Sequence, residues 1–346
     1  MKYALALGGG GTRGAFEVGV WQALCELGIE INAITGTSIG AVNGAVFAAG
    51  LDAKSLWQKI KPTDIADIKG DNLFNVPSLI SAIKTLPDGG IDASAFGKFL
   101  KEHIDEEKVR NSGIDYGLCT YSADTKKSNE LFLDQIPVGK LNDYVFASAC
   151  FPIFKPAVID GTKYVDGAIK NNLPVNMLIE RGYDTIISVS VKGVGMIKRI
   201  DKCGVNIINI DCHTPEVGLM EFDSKAISKS IKSGYYECMR VFGRYLGEIY
   251  SIERESFYSA QRMLGIDIIR GIEEAANMCG IDKYKVYTFH ELCNEVLSNY
   301  KSCRKLRFLV YAMGKDYKGR GVLDSLGKYF QSGNSIVYLS KYQKKQ

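Results

Sequence analysis

ALALGGGGTRGAF, Ala4 to Phe16, sets four consecutive glycines between an apolar run and a segment with helical spacing. Glycine lacks a Cβ, so such a run lets bare backbone come close to another group. Further along, ITGTSIGAVNG (Ile34–Gly44) repeats the pattern of apolar run, tight glycine turn and small-residue helix. KYALALG reads as a short strand, and GAFEVGVWQALCELG carries Phe16, Val20, Ala23, Leu24 and Leu27 at helical spacing until Gly28. INAITGT reads as a second buried strand, and IGAVNGAVFAAG as a helix ending at Gly50. This strand–helix–strand–helix opening predicts a mostly parallel sheet with helices on both faces.

Residues 51–109 are mostly helical and irregular in pattern, with DASAFGKFLKEHI the clearest helix. So long an interval between strands is the natural place for a cap or lid. DYGLCTYSAD and NELFLD read as paired strands, and LNDYVFASACF as a helix stopped by Pro152. PAVIDGTKYVDG predicts a β-hairpin turning at Asp160-Gly161. DTIISVSV and VNIINIDC read as buried strands; beyond Thr214 the pattern is helical, with no strand signal until SIVYLS. The expected organisation is a catalytic domain over 1–250 and a mostly helical extension over 251–346.

The chain has 346 residues, 46% hydrophobic and 24% charged. That balance suits a globular protein and excludes collagen-like, coiled-coil and disordered classes. No secretory leader is evident, and no apolar run reaches the roughly 18 residues of a membrane span. Nine cysteines, an odd number without a C-x-x-C pair, argue against a disulfide framework or a sequential zinc site and suit a reducing compartment. Cys25, Cys119 and Cys150, among apolar neighbours, are expected to be core thiols. Residues 301–346 hold eleven Lys/Arg against Asp316 and Asp324, while the rest of the chain is net acidic. Aromatics interleave those cations, so the segment either docks on anionic lipid headgroups or forms a solvated helical face. No nucleic-acid partner is expected, and the sequence carries no signal for an oligomeric state. The expected location is cytoplasmic, peripheral at membranes.

GTSIG, Gly36–Gly40, is G-x-S-x-G between a strand and a helix, the context of a nucleophile elbow. Ser38 would sit on the sharp turn, with Thr37 and Ile39 beside it and Gly36 and Gly40 allowing strand and helix to close. The helix start adds partial positive charge where an anion would form. The glycine loop also fits G-x-G-x-x-G at Gly9, Gly11 and Gly14, but the second strand ends in Gly36-Thr37-Ser38, without the acid a dinucleotide ribose needs. Amides of Gly9, Gly10, Gly11, Thr12, Arg13 and Gly14 can instead surround an oxyanion. Arg13 either reinforces that positive potential or faces solvent as a salt-bridge partner.

A serine hydroxyl needs a base. The chain has three histidines: His103 on a helix surface, His290 near a helix start, and His213 after a strand, where it could complete a Ser–Asp–His order with Asp166. The other candidate is Asp166 itself in YVDGAIKNNLP, followed by Gly167 and Ala168. Burial would raise its carboxyl far enough to accept a proton near neutrality.

GGGGTRG, GTSIG and DGA, in this order, resemble the motifs of the patatin-like phospholipase family, as does the run SACFPIFKPAVIDGTKYVDGAIKNNLPV. The resemblance covers residues 3–215. It implies a three-layer α/β/α sandwich, and a Ser–Asp dyad with Ser38 as nucleophile, Asp166 as base and the Gly9–Arg13 amides as oxyanion donors. It further implies hydrolysis of acyl esters of membrane lipids, phospholipid or lysophospholipid, with no metal or organic cofactor. A histidine-assisted esterase acting on small soluble esters and a non-catalytic lipid-binding scaffold are the alternatives.

Overall fold

The computed structural model describes residues 2–65, 90–200 and 204–299. The segments 66–89 and 300–346, holding part of the expected cap and the basic C-terminal stretch with SIVYLS, lie outside the described residues. Two compact units divide between Cys238 and Met239.

The first unit is built on eight strands: β1 (Tyr3–Leu7), β2 (Ile31–Thr37), β3 (Asp115–Ser122), β4 (Lys127–Phe132), β5 (Ala157–Ile159), β6 (Thr162–Asp166), β7 (Thr185–Ser190) and β8 (Asn206–Asp211). Their order is β5-β6-β3-β2-β1-β7-β8, with β4 also paired to β3. The five strands β3-β2-β1-β7-β8 run parallel, and β4, β5 and β6 add antiparallel pairs at one side. As the alternation of a strand requires, β1 divides its side chains between two faces. Ala4 and Ala6 join Ala33, Ile186, Val175 and Leu178 in one buried cluster, under the helix Val175–Glu180. On the opposite face, α2 (Ile39–Ala48) comes so close that a Cβ on Gly44 would lie 2.9 Å from Ile34 and 3.7 Å from Leu7. Helix α1 (Ala15–Glu26) packs beside α2, where Trp21 stacks on Phe47 with ring centroids 4.7 Å apart. Helix, sheet, helix: the three-layer α/β/α sandwich is present.

The β5–β6 hairpin turns at Asp160 and Gly161, both with positive φ, as I′-type turns require. VNIINIDC departs from expectation. As β8 it forms the sheet's edge, so most of it is only half-covered or exposed. An apolar run does not reveal which strand stands last. Cys119 and Cys150 are buried, but Cys25 is exposed, because it falls on the outer side of the last turn of α1.

The second unit contains the helices Arg254–Leu264, Ile266–Met278 and Phe289–Asn299 around a core that includes Tyr250, Phe257, Tyr287 and Phe289. It also holds two strands absent from the sequence reading, β9 (Ser251–Ile252) and β10 (Val286–Tyr287), paired in parallel. At two residues each they are too short to show alternation. The buried Glu273 carboxylate accepts from the amides of Glu248, Ile249 and Tyr250 at 2.9 Å each and so fixes the approach to β9.

Within the first unit, α1 crosses the long helix Ser224–Val241 backbone to backbone. A Cβ on Gly19 would lie 1.8 Å from Ile231 O, and one on Gly234 would lie 1.9 Å from Phe16 O. Overpacking a core contact costs about 1–3 kcal/mol, more than the helix propensity alanine gains. Gly19→Ala is therefore expected to destabilise the fold by about 2 kcal/mol. Thermal denaturation followed by circular dichroism checks it, with a midpoint drop of roughly 4–8 °C.

Candidate active site

At the end of β2 the chain turns through Ser38 with φ 57° and ψ −126°, then enters α2. A non-glycine residue at positive φ is strained, and the surroundings hold it there. Ser38 N–H donates to Ser148 Oγ at 2.9 Å, and the Ser148 hydroxyl donates to Cys119 O at 2.6 Å. Gly36 and Gly40 are needed because a Cβ on the first would meet Gly40 O at 2.2 Å, and on the second Leu7 O at 2.5 Å. Thr37 points away, its hydroxyl donating to Asn171 O at 2.8 Å. Ile39 and Gly40 open α2, where backbone N–H groups have no intrahelical acceptor and carry partial positive charge.

Strand β3 brings the second residue. Its register with β2 ends at Thr37↔Cys119, and its register with β6 begins at Thr120↔Asp166. Because β4 holds the opposite edge of β3 from Gly117 to Ser122, across the junction, β2 and β6 share one edge and meet end to end. Ser38 and Asp166, far apart in sequence, follow from adjacent rungs. Gly167 lets the turn after β6 close on β3, since a Cβ there would lie 2.4 Å from Cys119 O.

Asp166 is fully buried. Its N–H donates to Cys150 O at 2.9 Å, and its Oδ1 accepts from Ala168 N–H at 2.8 Å. Oδ2 has no hydrogen-bond partner. Burial pushes the carboxyl up to about 7, against the pull of the Ser38 hydroxyl beside it and the Ala168 amide. The hydroxyl is thus next to the carboxyl without full hydrogen-bond geometry, as in many unliganded sites.

The glycine loop divides its amides. Gly9 N–H donates to Asn172 O at 3.0 Å, Thr12 N–H to Leu219 O at 2.9 Å, and Arg13 N–H to Gly10 O at 3.2 Å. The Gly10 and Gly11 amides lie outside those bonds, at the start of the turn Gly11–Gly14. Of the amides from Gly9 to Arg13 expected to serve one oxyanion, those of Gly9, Thr12 and Arg13 are therefore engaged by backbone carbonyls. Gly11 takes φ 57°, and a Cβ there would sit 2.0 Å from Leu219 O. Gly14 lies against Ile39. Arg13 makes contacts that its sequence neighbours do not announce. Its guanidinium donates to Lys192 O and to Val217 O, tying two loops to the start of α1.

Ser38, Asp166, Gly9, Gly10, Gly11 and Thr12 all line one cavity of about 320 Å³. Its other walls are mainly apolar, among them Phe151, Ile153 and Phe154. Five more come from the expected cap: Trp57, Ile60, Ile65, Ile91 and Phe96. The histidines are elsewhere. The His213 ring is 72% exposed with Nε2 3.9 Å from Glu237 Oε1, and it does not line the cavity. His103 stacks on Phe99 at the surface, and His290 belongs to the second unit. Among the described residues no group of three or more His, Cys, Asp or Glu side chains could hold a metal ion.

Two contributors escaped the sequence reading. Ser148 fixes the elbow's amide. Asn172 lines the cavity and clasps Gly9 from both sides, its backbone O accepting Gly9 N–H and its Nδ2 donating to Gly9 O at 3.3 Å. Only the position of Asn172 in KNNLP, just after the aspartate turn, signalled it.

Residues 5–179 match the family model described as Patatin-like phospholipase. Patatin-like phospholipase domain-containing protein 7 of Rattus norvegicus is 30% identical over 192 residues, covering 54% of this chain but 13% of the relative. Lysophospholipase NTE1 of Candida glabrata is 28% identical over 191 residues, covering 55% of this chain and 10% of the relative. The chain thus matches only a small part of these longer relatives. VipD from Legionella pneumophila superposes with a TM-score of 0.44 at 13% identity, over 97% of this chain and 81% of that one. With half of its length matched by the family model and the strand–elbow–helix frame in place, the chain belongs to the patatin-like phospholipase family.

Proposed function

We propose that this chain hydrolyses acyl esters of membrane lipids through a Ser38–Asp166 dyad. The observation carrying the reading is the meeting of a strained serine and a buried, partly unpaired carboxyl in the lining of one apolar cavity. Ser38 Oγ attacks the acyl carbonyl carbon while its proton passes to Asp166. The Gly10 and Gly11 amides, with the start of α2 nearby, face the oxyanion, where each such donor contributes on the order of 3 kcal/mol. The proton then goes to the departing alcohol oxygen as the acyl–oxygen bond breaks. Water, giving its proton to Asp166, attacks the acyl-enzyme; that proton passes to Ser38 Oγ as the acyl–oxygen bond breaks, and the fatty acid leaves. The apolar walls suit an acyl chain, and a carboxyl near 7 suits both halves of the proton transfer.

The family match and the naming of the Candida relative as a lysophospholipase support lipid esters over other acyl compounds. The placement of His213 outside the cavity weighs against a histidine-assisted esterase. A pure scaffold would not need the Ser38 strain. No helix among the described residues is long and apolar enough to cross a membrane, so the proposed mode of access to lipid is peripheral. The basic stretch 301–346 is proposed to strengthen contact with anionic membranes.

Product analysis on mixed phospholipid vesicles tests the reading. Ser38→Ala is expected to lose at least about a thousandfold in rate together with labelling by a fluorophosphonate probe, Asp166→Asn to fall comparably, and His213→Ala to keep a near-native rate. Hydrolysis surviving in Ser38→Ala would end the proposal.

The carboxyl also sets two pH dependences. As a base Asp166 must be ionised, so kcat/KM should fall as pH drops through about 7. Stability has the opposite sense, because the folded carboxyl titrates above its ordinary 3.8. The full benefit of a neutral Asp166 holds below pH 3.8, and it is lost as pH rises toward 7. At 1.36 kcal/mol per pKa unit the loss is at most roughly 4 kcal/mol. Asp166→Asn should accordingly raise the denaturation midpoint more at pH 8 than at pH 4; an equal effect at both would count against a raised carboxyl.

A further inference from the structure

The segment leaving β7, VKGVGMIKRI (Val191–Ile200), is fastened over the cavity's edge by its backbone. Met196 N–H donates to Ala168 O at 2.9 Å, and Asn172 N–H donates to Met196 O at 2.6 Å. A Cβ on Gly193 would lie 1.7 Å from Gly9 O, and one on Gly195 would lie 2.4 Å from Ala168 O. The backbone therefore abuts both the glycine loop and the turn after Asp166. The large apolar side chains go the other way. Val194, Met196 and Ile197 are 54%, 58% and 54% exposed. Val194 also lines the cavity, together with Leu219 and Met220 of the neighbouring loop. Three large apolar side chains within four residues, held in water by a fixed backbone at a cavity mouth, form a patch of the kind that marks an interaction site.

The same segment carries Lys192, Lys198 and Arg199 and no acidic residue. Lys198 is committed to an ion pair with Glu130, which discounts its charge. Lys192 donates to the carbonyl of His213 and so keeps its own. Cations around an apolar tip match an anionic headgroup layer over hydrocarbon.

We propose that Val194, Met196 and Ile197 enter the surface layer of an anionic phospholipid bilayer, with Lys192 and Arg199 against its phosphates. The cavity mouth is then seated on the membrane. An acyl chain reaches Ser38 along Val194 without crossing open water, which would cost the hydrophobic free energy of each exposed methylene. This inference rests on the lipid-hydrolase reading and adds to it the surface by which the site meets its substrate.

The test uses the full chain in a Ser38→Ala background, sedimented with vesicles of equimolar phosphatidylcholine and phosphatidylserine. Met196→Glu with Ile197→Glu should weaken binding about tenfold or more, since apolar insertion is replaced by like-charge repulsion. In the Ser38 enzyme the same pair should leave turnover of a soluble, monomeric short-chain ester within about twofold of native, which also reports an intact fold. A second variant, Ile197→Trp, should shift its emission to the blue on vesicles and be quenched by lipids spin-labelled high on the acyl chain. Unchanged vesicle binding by the double variant, or no quenching of vesicle-bound Ile197→Trp, overturns the proposal. So does a double variant that loses self-association while keeping vesicle binding, because the patch would then contact a second copy. Survival of soluble-ester hydrolysis in Ser38→Ala would instead sink the hydrolase reading, leaving the vesicle result to decide the surface by itself.

Discussion

Strand β3 carries the site because it divides one edge between two partners. β2 runs parallel along it as far as Cys119, and β6 comes back antiparallel from Thr120. Two strands aimed at each other cannot both continue, so each must turn out of the sheet where they meet. Those turns hold Ser38 and Asp166. The hydrogen-bond ladder fixes them more tightly than loop packing could, since a one-residue slip in either register would flip every side chain of that strand to the wrong face. Cys119 O takes the Ser148 hydroxyl that holds the elbow amide, and the same carbonyl stands against Gly167. One peptide group thus braces both turns.

Two unfavourable features stand at this junction, a serine at positive φ and a carboxyl stripped of water. Each costs stability that the rest of the sandwich supplies. They share a consequence. In the proposed mechanism the strain presents the hydroxyl at the sheet's end, and desolvation makes the neighbouring carboxyl basic enough to use it. Relaxing either one would stabilise the fold and, on the proposed mechanism, disable the pair, the usual opposition between stability and activity.

The legible parts were those in which neighbouring residues dictate local geometry. Asp160-Gly161 declares a hairpin, Gly36 and Gly40 bracket a turn, and Gly8–Gly11 cannot pack as an ordinary strand end. Hydrophobic spacing likewise located α1, and a run of small residues after the turn located α2. What stayed hidden depends on partners distant in sequence. Nothing near Gly9, Thr12 or Arg13 announces that their amides are already engaged, two of them by Asn172 and Leu219. Ser148 looks like any small residue near a helix end, and its role exists only because Cys119 O and Ser38 N–H flank it. Arg13 could not be assigned because its acceptors are backbone carbonyls of two remote loops, and every residue has a carbonyl. Cys25 shows the limit of reading burial from apolar neighbours, since position around the helix decided its exposure.

A buried chain of polar groups joins the glycine loop to the cavity wall. Glu17, in the first turn of α1, is fully buried, and desolvation pushes its carboxyl well up against the opposing pull of Asn43 and the Gly8 amide. Its Oε2 accepts from Asn43 Nδ2 at 2.7 Å, which also donates to Gly14 O at 2.9 Å. Asn43 Oδ1 in turn accepts from Trp57 Nε1–H at 2.9 Å. Trp57 lines the cavity from the segment expected to form the cap. The position of that wall is therefore set by the helices that flank the site, through three hydrogen bonds sheltered from water. Buried networks of this kind are specific because leaving one member unpaired is expensive. The cavity is shaped by the same elements that aim the serine, so the wall and Ser38 keep a common frame.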